Sequence, residues 1–380
     1  MERLRHLKVG LLAGLALLAI SVASLVGCGR AFADGQSGGL SLRDAVARAL
    51  ECSPTVRVAA AEVERARAVR DDAAQSMRGV QIPTGLNQPP GVVTGFYNLV
   101  TSDLNWQMAK RSLSLAEEQV VLETVRRYWA VVDARAKLAA AEAALEQARI
   151  SKQAAWARVV VGAATEKDYS AARASLSNAE AAVEQARQAL DQAYEALNEI
   201  AGLGWGARPE LTDSPVFQAA AISDVDAEVA RALSVRPELV NALNAVDLAR
   251  IQWQLPTQTG VSGVGAGLSQ PWEARQKQLR KAEEQVEATR QQIRETVRDL
   301  CIQLQQLEEQ YPALQAALAS AEKQFRVVSA YYDVGMATRE ELVGARAGYE
   351  KARRAIVSLT CQHASLAARW RAMTGREVLP

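Results

Sequence analysis

The chain has 380 residues, with 44 Lys and Arg against 43 Asp and Glu and a formal net charge of +1. No basic field is present to recruit nucleic acid. Apolar residues make up 49%, charged residues 23% and aromatics 5%, an alanine-rich balance that suits long packed helices and argues against a β-sandwich or an α/β core.

In chain order, residues 1–33 read as a targeting segment, because Arg3, Arg5 and Lys8 precede an uncharged apolar run from Val9 to Gly27. Two processing readings stand. Leu25-Val26-Gly27-Cys28 looks like a lipobox, which would attach a lipid to Cys28, whereas Ala31-Phe32-Ala33 before Asp34 is an A-x-A cleavage site. A third reading keeps the run as an uncleaved anchor helix.

A first repeat follows over residues 40–203. It opens with a short helix from Leu42 to Glu51, stopped ahead of Pro54, and Ser53 is placed to cap a second helix that runs to about Met77. Residues 78–109 carry Val80-Gln81-Ile82, Val92-Val93-Thr94, Phe96-Tyr97 and Trp106 among Gly and Pro, which reads as strand, turn, strand. A long helix then places Val131, Ala134, Leu138, Ala141, Leu145 and Ala148 on heptad spacing, and Gly162 marks its end. Beyond that turn, Ala172, Leu176, Ala179, Val183, Ala186, Leu190, Ala193, Leu197 and Ile200 step by four and three. The two helices can therefore zip antiparallel.

After a linker at 204–223, residues 224–375 repeat the plan. A short helix from Val225 to Ser234 precedes a helix that starts near Pro237 and runs to about Gln254, and a Gly-rich insert at 255–272 reads as a second β-hairpin. The seam Leu300, Leu304, Leu307, Tyr311, Leu314 and Leu318 is answered by Leu342, Ala345, Tyr349, Ala352, Ile356 and Leu359. Pro312, inside this long helix, is expected to kink it. If the two shorter helices of each repeat stack end to end, they parallel the long helix beside them.

The duplication rests on landmarks held in register. Val46-Ala47-Arg48-Ala49-Leu50 recurs as Val229-Ala230-Arg231-Ala232-Leu233, and Pro54 matches Pro237, at an offset of 183. Val161-Gly162 with Ala164-Thr165 matches Val334-Gly335 with Ala337-Thr338, and Gly202 matches Gly375, at an offset of 173. The second repeat is thus ten residues shorter in its middle, where its insert lies. A membrane-spanning strand needs about 9–11 residues, so the second insert makes either a small, truncated barrel or strands that do not all cross a bilayer. Trp106 and Trp272 are candidates for interfacial aromatics or for covers at the end of a helix bundle.

Nothing in the chain supports catalysis. No phosphate loop, nucleophile elbow or paired-ligand spacing occurs, and no metal or other cofactor is expected. Cys301 and Cys361 lie on two arms of one hairpin about 12 Å out of register by helical rise, so free thiols are expected rather than a disulfide. His363 falls on the seam of the last helix, where a lone His packs in a core.

The opening Leu42-Arg43-Asp44-Ala45-Val46-Ala47-Arg48-Ala49-Leu50 with Ser53-Pro54, the second opening Arg236-Pro237-Glu238-Leu239, and the two V-G-x-A-T turns leading into Asp168 and Glu341 resemble the outer membrane efflux protein family, the TolC-like channels. The resemblance implies a homotrimer in the outer membrane, with a shared β-barrel and a long periplasmic α-barrel. It also implies a periplasmic adaptor (membrane fusion) protein and an inner-membrane pump as partners. On that likeness Val161, Gly162, Thr165, Val334, Gly335 and Thr338 form the tip turns where adaptors dock, and Asp168, Tyr332 and Glu341 lie at the lumen entrance. Where some members carry a second acidic residue one turn beyond Glu341, this chain has Gly344. A passive exit duct for efflux or type I secretion is the function expected, and a lipid-tethered, non-conducting coiled-coil scaffold of the envelope is the alternative.

Overall fold

The computed structural model describes residues 39–79, 90–222, 224–259 and 272–379. The targeting segment with Cys28 lies outside the described residues, as do the expected strand at 80–82 and positions 260–271 of the second insert. Eight helices occur among the described residues: α1 (Leu42–Cys52), α2 (Pro54–Ser76), α3 (Pro90–Val160), α4 (Glu166–Ala201), α5 (Val225–Val235), α6 (Pro237–Thr259), α7 (Trp272–Asp333) and α8 (Arg339–Met373). The mainly α expectation holds.

Local chemistry sets the helix ends. Ser41 caps α1 by accepting from the Asp44 N–H at 3.1 Å, and Ser53 caps α2 by accepting from Val56 N–H, with Pro54 in the first turn where no N–H is needed. In the second repeat Asp224 caps α5 through Asp226 N–H at 2.9 Å, and Pro237 opens α6.

The first insert needs correction. Residues 90–109 are not strands but the first turns of α3, so Val92-Val93-Thr94, Phe96-Tyr97 and Trp106 are helical. The Gly and β-branched content suggests turns and strands, but Pro90 starts a helix well, and Tyr97, Val100, Leu104 and Met108 keep helical spacing. The second insert is likewise helical up to Thr259, and α7 resumes at Trp272.

Contacts arrange the helices side by side in a fixed order. α3 packs against α2 and α4 on one flank and α6 and α8 on the other, and α7 packs outside α6 and α8. Within the flanking pairs, α2 and α4 have 23 and 36 residues against 71 in α3, which fits two short helices laid end to end along one long helix. The ends approach in both repeats: a Cβ added at Gly202, just past α4, would stand 2.5 Å from Cys52 Sγ beside the start of α2, and one at Gly375, just past α8, 3.0 Å from Val235 beside the start of α6. Pro312 does not interrupt α7, whose helix continues through it.

Two cores sit at the level of the short helices. One gathers Val46, Val125, Tyr128, Val131, Leu190 and Leu197 between α1, α3 and α4; the other gathers Val229, Ile293, Val297, Leu300 and Leu304 between α5, α6 and α7, closed by Trp370 of α8. Val46 and Ala49 are 6% and 0% exposed, and their repeat partners Val229 and Ala232 have the same two values, so the duplication extends to packing. Each fully buried aliphatic side chain contributes about 1.5–3 kcal/mol.

The linker is the cross-strap between the repeats. Leu40 pairs with Leu211 in a parallel bridge. Tyr128, fully buried, donates its hydroxyl to Leu40 O at 2.9 Å and accepts from Asp213 N–H at 3.2 Å. Farther along, Phe217 stacks on Tyr311 with ring centroids 3.7 Å apart. Ala220 N–H donates to Glu308 at 2.7 Å, and the same carboxylate lies 3.3 Å from the buried His363 ring. His363 is thus a core residue. Cys301 and Cys361 are free and buried, and burial pushes the Cys361 thiol up to about 12, which keeps it protonated and inert.

Tyr128→Phe takes the hydroxyl from Asp213 N–H and leaves Leu40 O with only the Thr212 N–H at 3.3 Å. It is expected to lower stability by about 1–3 kcal/mol, read as a shift in the urea midpoint at unchanged m-value.

Candidate functional site: the duplicated tip

The two expected tip turns are the same structure built twice. In the first, the turn after α3 puts Gly162 at φ 74°, Gly162 N–H donates to Val159 O at 3.0 Å, and Ala163 N–H donates to Arg158 O at 2.7 Å. In the second, Gly335 sits at φ 75°, with its N–H on Tyr332 O at 3.0 Å and Met336 N–H on Tyr331 O at 2.8 Å. These paired 6→1 and 5→2 bonds form a Schellman motif, whose left-handed residue favours glycine.

One residue after each turn a new helix starts on a capping box. Thr165 accepts from Asp168 N–H at 3.3 Å while the Asp168 carboxylate accepts from Thr165 N–H at 2.9 Å and its hydroxyl at 2.7 Å. Thr338 and Glu341 do the same at 3.2, 2.7 and 2.9 Å. The backbone and hydroxyl bonds from Thr165 and Thr338 hold both carboxyls below the usual carboxylate range. The sequence shows this signature as T-x-x-D and T-x-x-E, yet the expectation assigned these acids to an entrance alone. Each box occupies one carboxylate oxygen, Oδ2 of Asp168 and Oε2 of Glu341.

Outside the boxes the tips are apolar and exposed: Val161, Val334 and Met336 are each more than two-thirds exposed. Tyr332, the third expected entrance residue, is half-exposed in the last turn of α7, and its carbonyl serves the Gly335 turn. Two side-chain contacts went unforeseen. Trp156 and Tyr169 meet across the first hairpin with ring centroids 5.2 Å apart. Arg158, at the end of α3, donates to Glu340 in the first turn of α8 at 2.6 Å, tying one tip to the other. The latter joins residues 182 apart, and no local pattern announces it.

The described helices carry no segment long and apolar enough to cross a membrane. Among solved structures, the outer-membrane channel OprN shares this fold at a TM-score of 0.64 with 18% identity, over 89% of this chain and 91% of that one. VceC of Vibrio cholerae, an outer membrane protein, superposes at 0.62 with 16% identity over 89% and 96%. The CmeC outer membrane channel of Campylobacter jejuni does so at 0.61 with 16% identity over 93% and 92%. By sequence, no curated protein matches the chain. The fold is thus that of the outer-membrane channels. Residues 265–376, most of the second repeat, match the outer membrane efflux protein family, which is the family the tip turns and repeat openings resemble.

Because the folded carboxyls titrate below their ordinary values, their capping is present above the ordinary range and is lost only as pH falls through the lowered value. Thr165→Ala with Thr338→Ala is expected to speed amide hydrogen exchange in the first turns of α4 and α8 at neutral pH. The unmodified chain should show the same local loss only in strong acid, with the rest of each helix protected in both cases.

Proposed function

We propose that the chain is the outer-membrane exit duct of a tripartite efflux or type I secretion system. The observation that carries this reading is the fold shared along nearly the whole chain with outer-membrane channels. The lateral order supports it: α7 at one flank and α2 with α4 at the other have no large contact beyond their inner neighbours among the described residues. Val58 and Val69 of α2 and Ile302 and Val327 of α7 remain exposed. A sheet of helices with two apolar edges of unlike kind closes head to tail, and a rotation that closes makes a ring. Three copies are the number the family resemblance implies.

In this reading the duct is passive. The duplicated tips form its periplasmic mouth, and Val161, Gly162, Thr165, Val334, Gly335 and Thr338 offer exposed turns to a periplasmic adaptor. Binding opens the mouth to the extent that the adaptor prefers the open state. Asp168, Glu341 and Tyr332 line the entrance, where the carboxylate oxygens not used in capping meet passing ions. With Gly344 one turn on, the acidic rim is single. Energy comes from an inner-membrane pump, and no chemistry is asked of the chain.

One observation favours the second reading, a lipid-tethered scaffold that does not conduct. α2 ends at Ser76 and α3 begins at Pro90, while α6 ends at Thr259 and α7 begins at Trp272, so the intervening segments are shorter than the roughly 20 residues a membrane-spanning hairpin requires.

Planar-bilayer recording of the purified full-length chain separates the two. Discrete conductance steps are expected for the duct, and their absence from a preparation that is trimeric by light scattering sinks it. Arg158→Ala, which cuts the tie to Glu340, is expected to raise the open fraction of those channels while leaving the unit conductance nearly unchanged.

A further inference from the structure

The internal duplication predicts how one copy meets the next, residue by residue. The offset of 173 runs up from the tips through the long helices: Val120, Thr124, Tyr128 and Val131 of α3 are buried, and so are Ile293, Val297, Cys301 and Leu304 of α7 at the same offset. At one position burial diverges in the way a missing neighbour would produce. Trp129 is 7% exposed and lines one cleft with Cys361 and Gln362 of α8, whereas its counterpart Ile302 is 49% exposed. By helical spacing Ile302 faces away from the side of α7 that carries Val297, Cys301 and Leu304. The missing neighbour of α7 therefore occupies the place that α8 takes on α3, and the repeat counterpart of α8 is α4.

We infer, on the reading that copies close into a ring, that α7 of one copy docks on α4 of the next in the register by which α3 docks on α8, so that at the tip Tyr331 meets Lys167 of the next copy. Within the chain that joint is the Arg158–Glu340 ion pair at 2.6 Å. At the same offset Arg158 becomes Tyr331 and Glu340 becomes Lys167. Tyr331 is 51% exposed and Lys167 is exposed in the single chain. An ammonium over a phenol ring is attractive, whereas a second arginine opposite Lys167 would repel it.

Higher on the same seam, Gln362 maps to Ala189, which places Ile302 against Ala189 of the next copy. Close approach is sterically open there, since Ala189 is small and exposed. Midway, Gly344, whose added Cβ would stand 3.7 Å from Gln147 Nε2, maps to Ala171 facing Ser320. At these positions the next copy is met by small and apolar side chains with an aromatic–cation joint at the mouth, while the Arg346–Glu146 pair at 3.3 Å maps to Arg173 facing Ala319. The mouth alternates ionic joints within copies and uncharged-ring joints between them.

The test is thiol crosslinking with a short bismaleimide in the full-length chain with all four cysteines, Cys28, Cys52, Cys301 and Cys361, replaced by alanine. Tyr331→Cys with Lys167→Cys, and separately Ile302→Cys with Ala189→Cys, should each give covalent dimer and trimer bands that the single-cysteine parents lack. Arg158→Cys with Glu340→Cys, the contact within one chain, should crosslink without raising the mass. Light scattering of each variant keeps two failures apart. A monomer would sink the ring and this docking together, whereas a trimer that yields no ladder with either pair would overturn the register alone. A ladder from the Ile302 pair without one from the Tyr331 pair would overturn the tip contact.

Discussion

A long antiparallel helical hairpin has too little apolar surface of its own, and most of this molecule answers that shortage. The seam of α3 and α4, or of α7 and α8, is a single narrow stripe with alanine at many positions. Such a stripe can align two helices but cannot anchor them. The chain makes up the difference at one level only, where α1 and α5 lie across the seams and build the two cores. The linker, held by Tyr128 and Glu308, binds those cores into one belt.

Charge reinforces the belt where apolar contact is thin. Arg236, 3% exposed at the α5–α6 junction, donates to Glu118 of α3 at 2.7 and 2.9 Å, to Ala372 O at 3.1 Å, and to its own neighbour Glu238. Burial alone would lower its pKa, but the two carboxylates outweigh that and raise it. Arg376 answers from the C-terminal segment with a bidentate pair to Glu228 at 2.6 and 2.8 Å. These pairs join elements far apart in the chain. Their worth is mainly in fixing which helix lies beside which, since removing one partner strands a buried charge.

The sequence revealed most where structure is local. Pro54, Pro237, Ser53, Gly162 and Gly335 mark helix ends through rules that act over a few residues, and each stands where it was expected. In the first insert Gly91, Gly95 and the Val pair suggest turns and strands against the helical spacing of Tyr97, Val100, Leu104 and Met108, and the packing of α3 on α2, which brings Arg70 to 3.5 Å from Asp103, favours the helix. Distance along the chain hid the Arg158–Glu340 tie and the Tyr128 clasp, whose partners are about a hundred residues or more away or reached through irregular chain. The capping boxes are legible as T-x-x-D at Thr165 and T-x-x-E at Thr338. Identity of only 16–18% to channels of the same fold has a related cause: a seam asks for size and spacing, and many sequences meet both.

The wall of the molecule alternates two kinds of stave. α3 and α7 run unbroken, whereas beside each the wall is pieced from two rods meeting at the belt, α2 with α4 and α6 with α8. Continuous staves resist axial compression. Pieced ones can turn about their joint without melting a turn of helix, and Gly202, whose Cβ would collide with Cys52 Sγ, keeps one such joint tight yet free of interlocking side chains. In the proposed ring, staves of these two kinds would be stiff end to end and compliant in torsion at the belt, so that one end could hold still while the other turns.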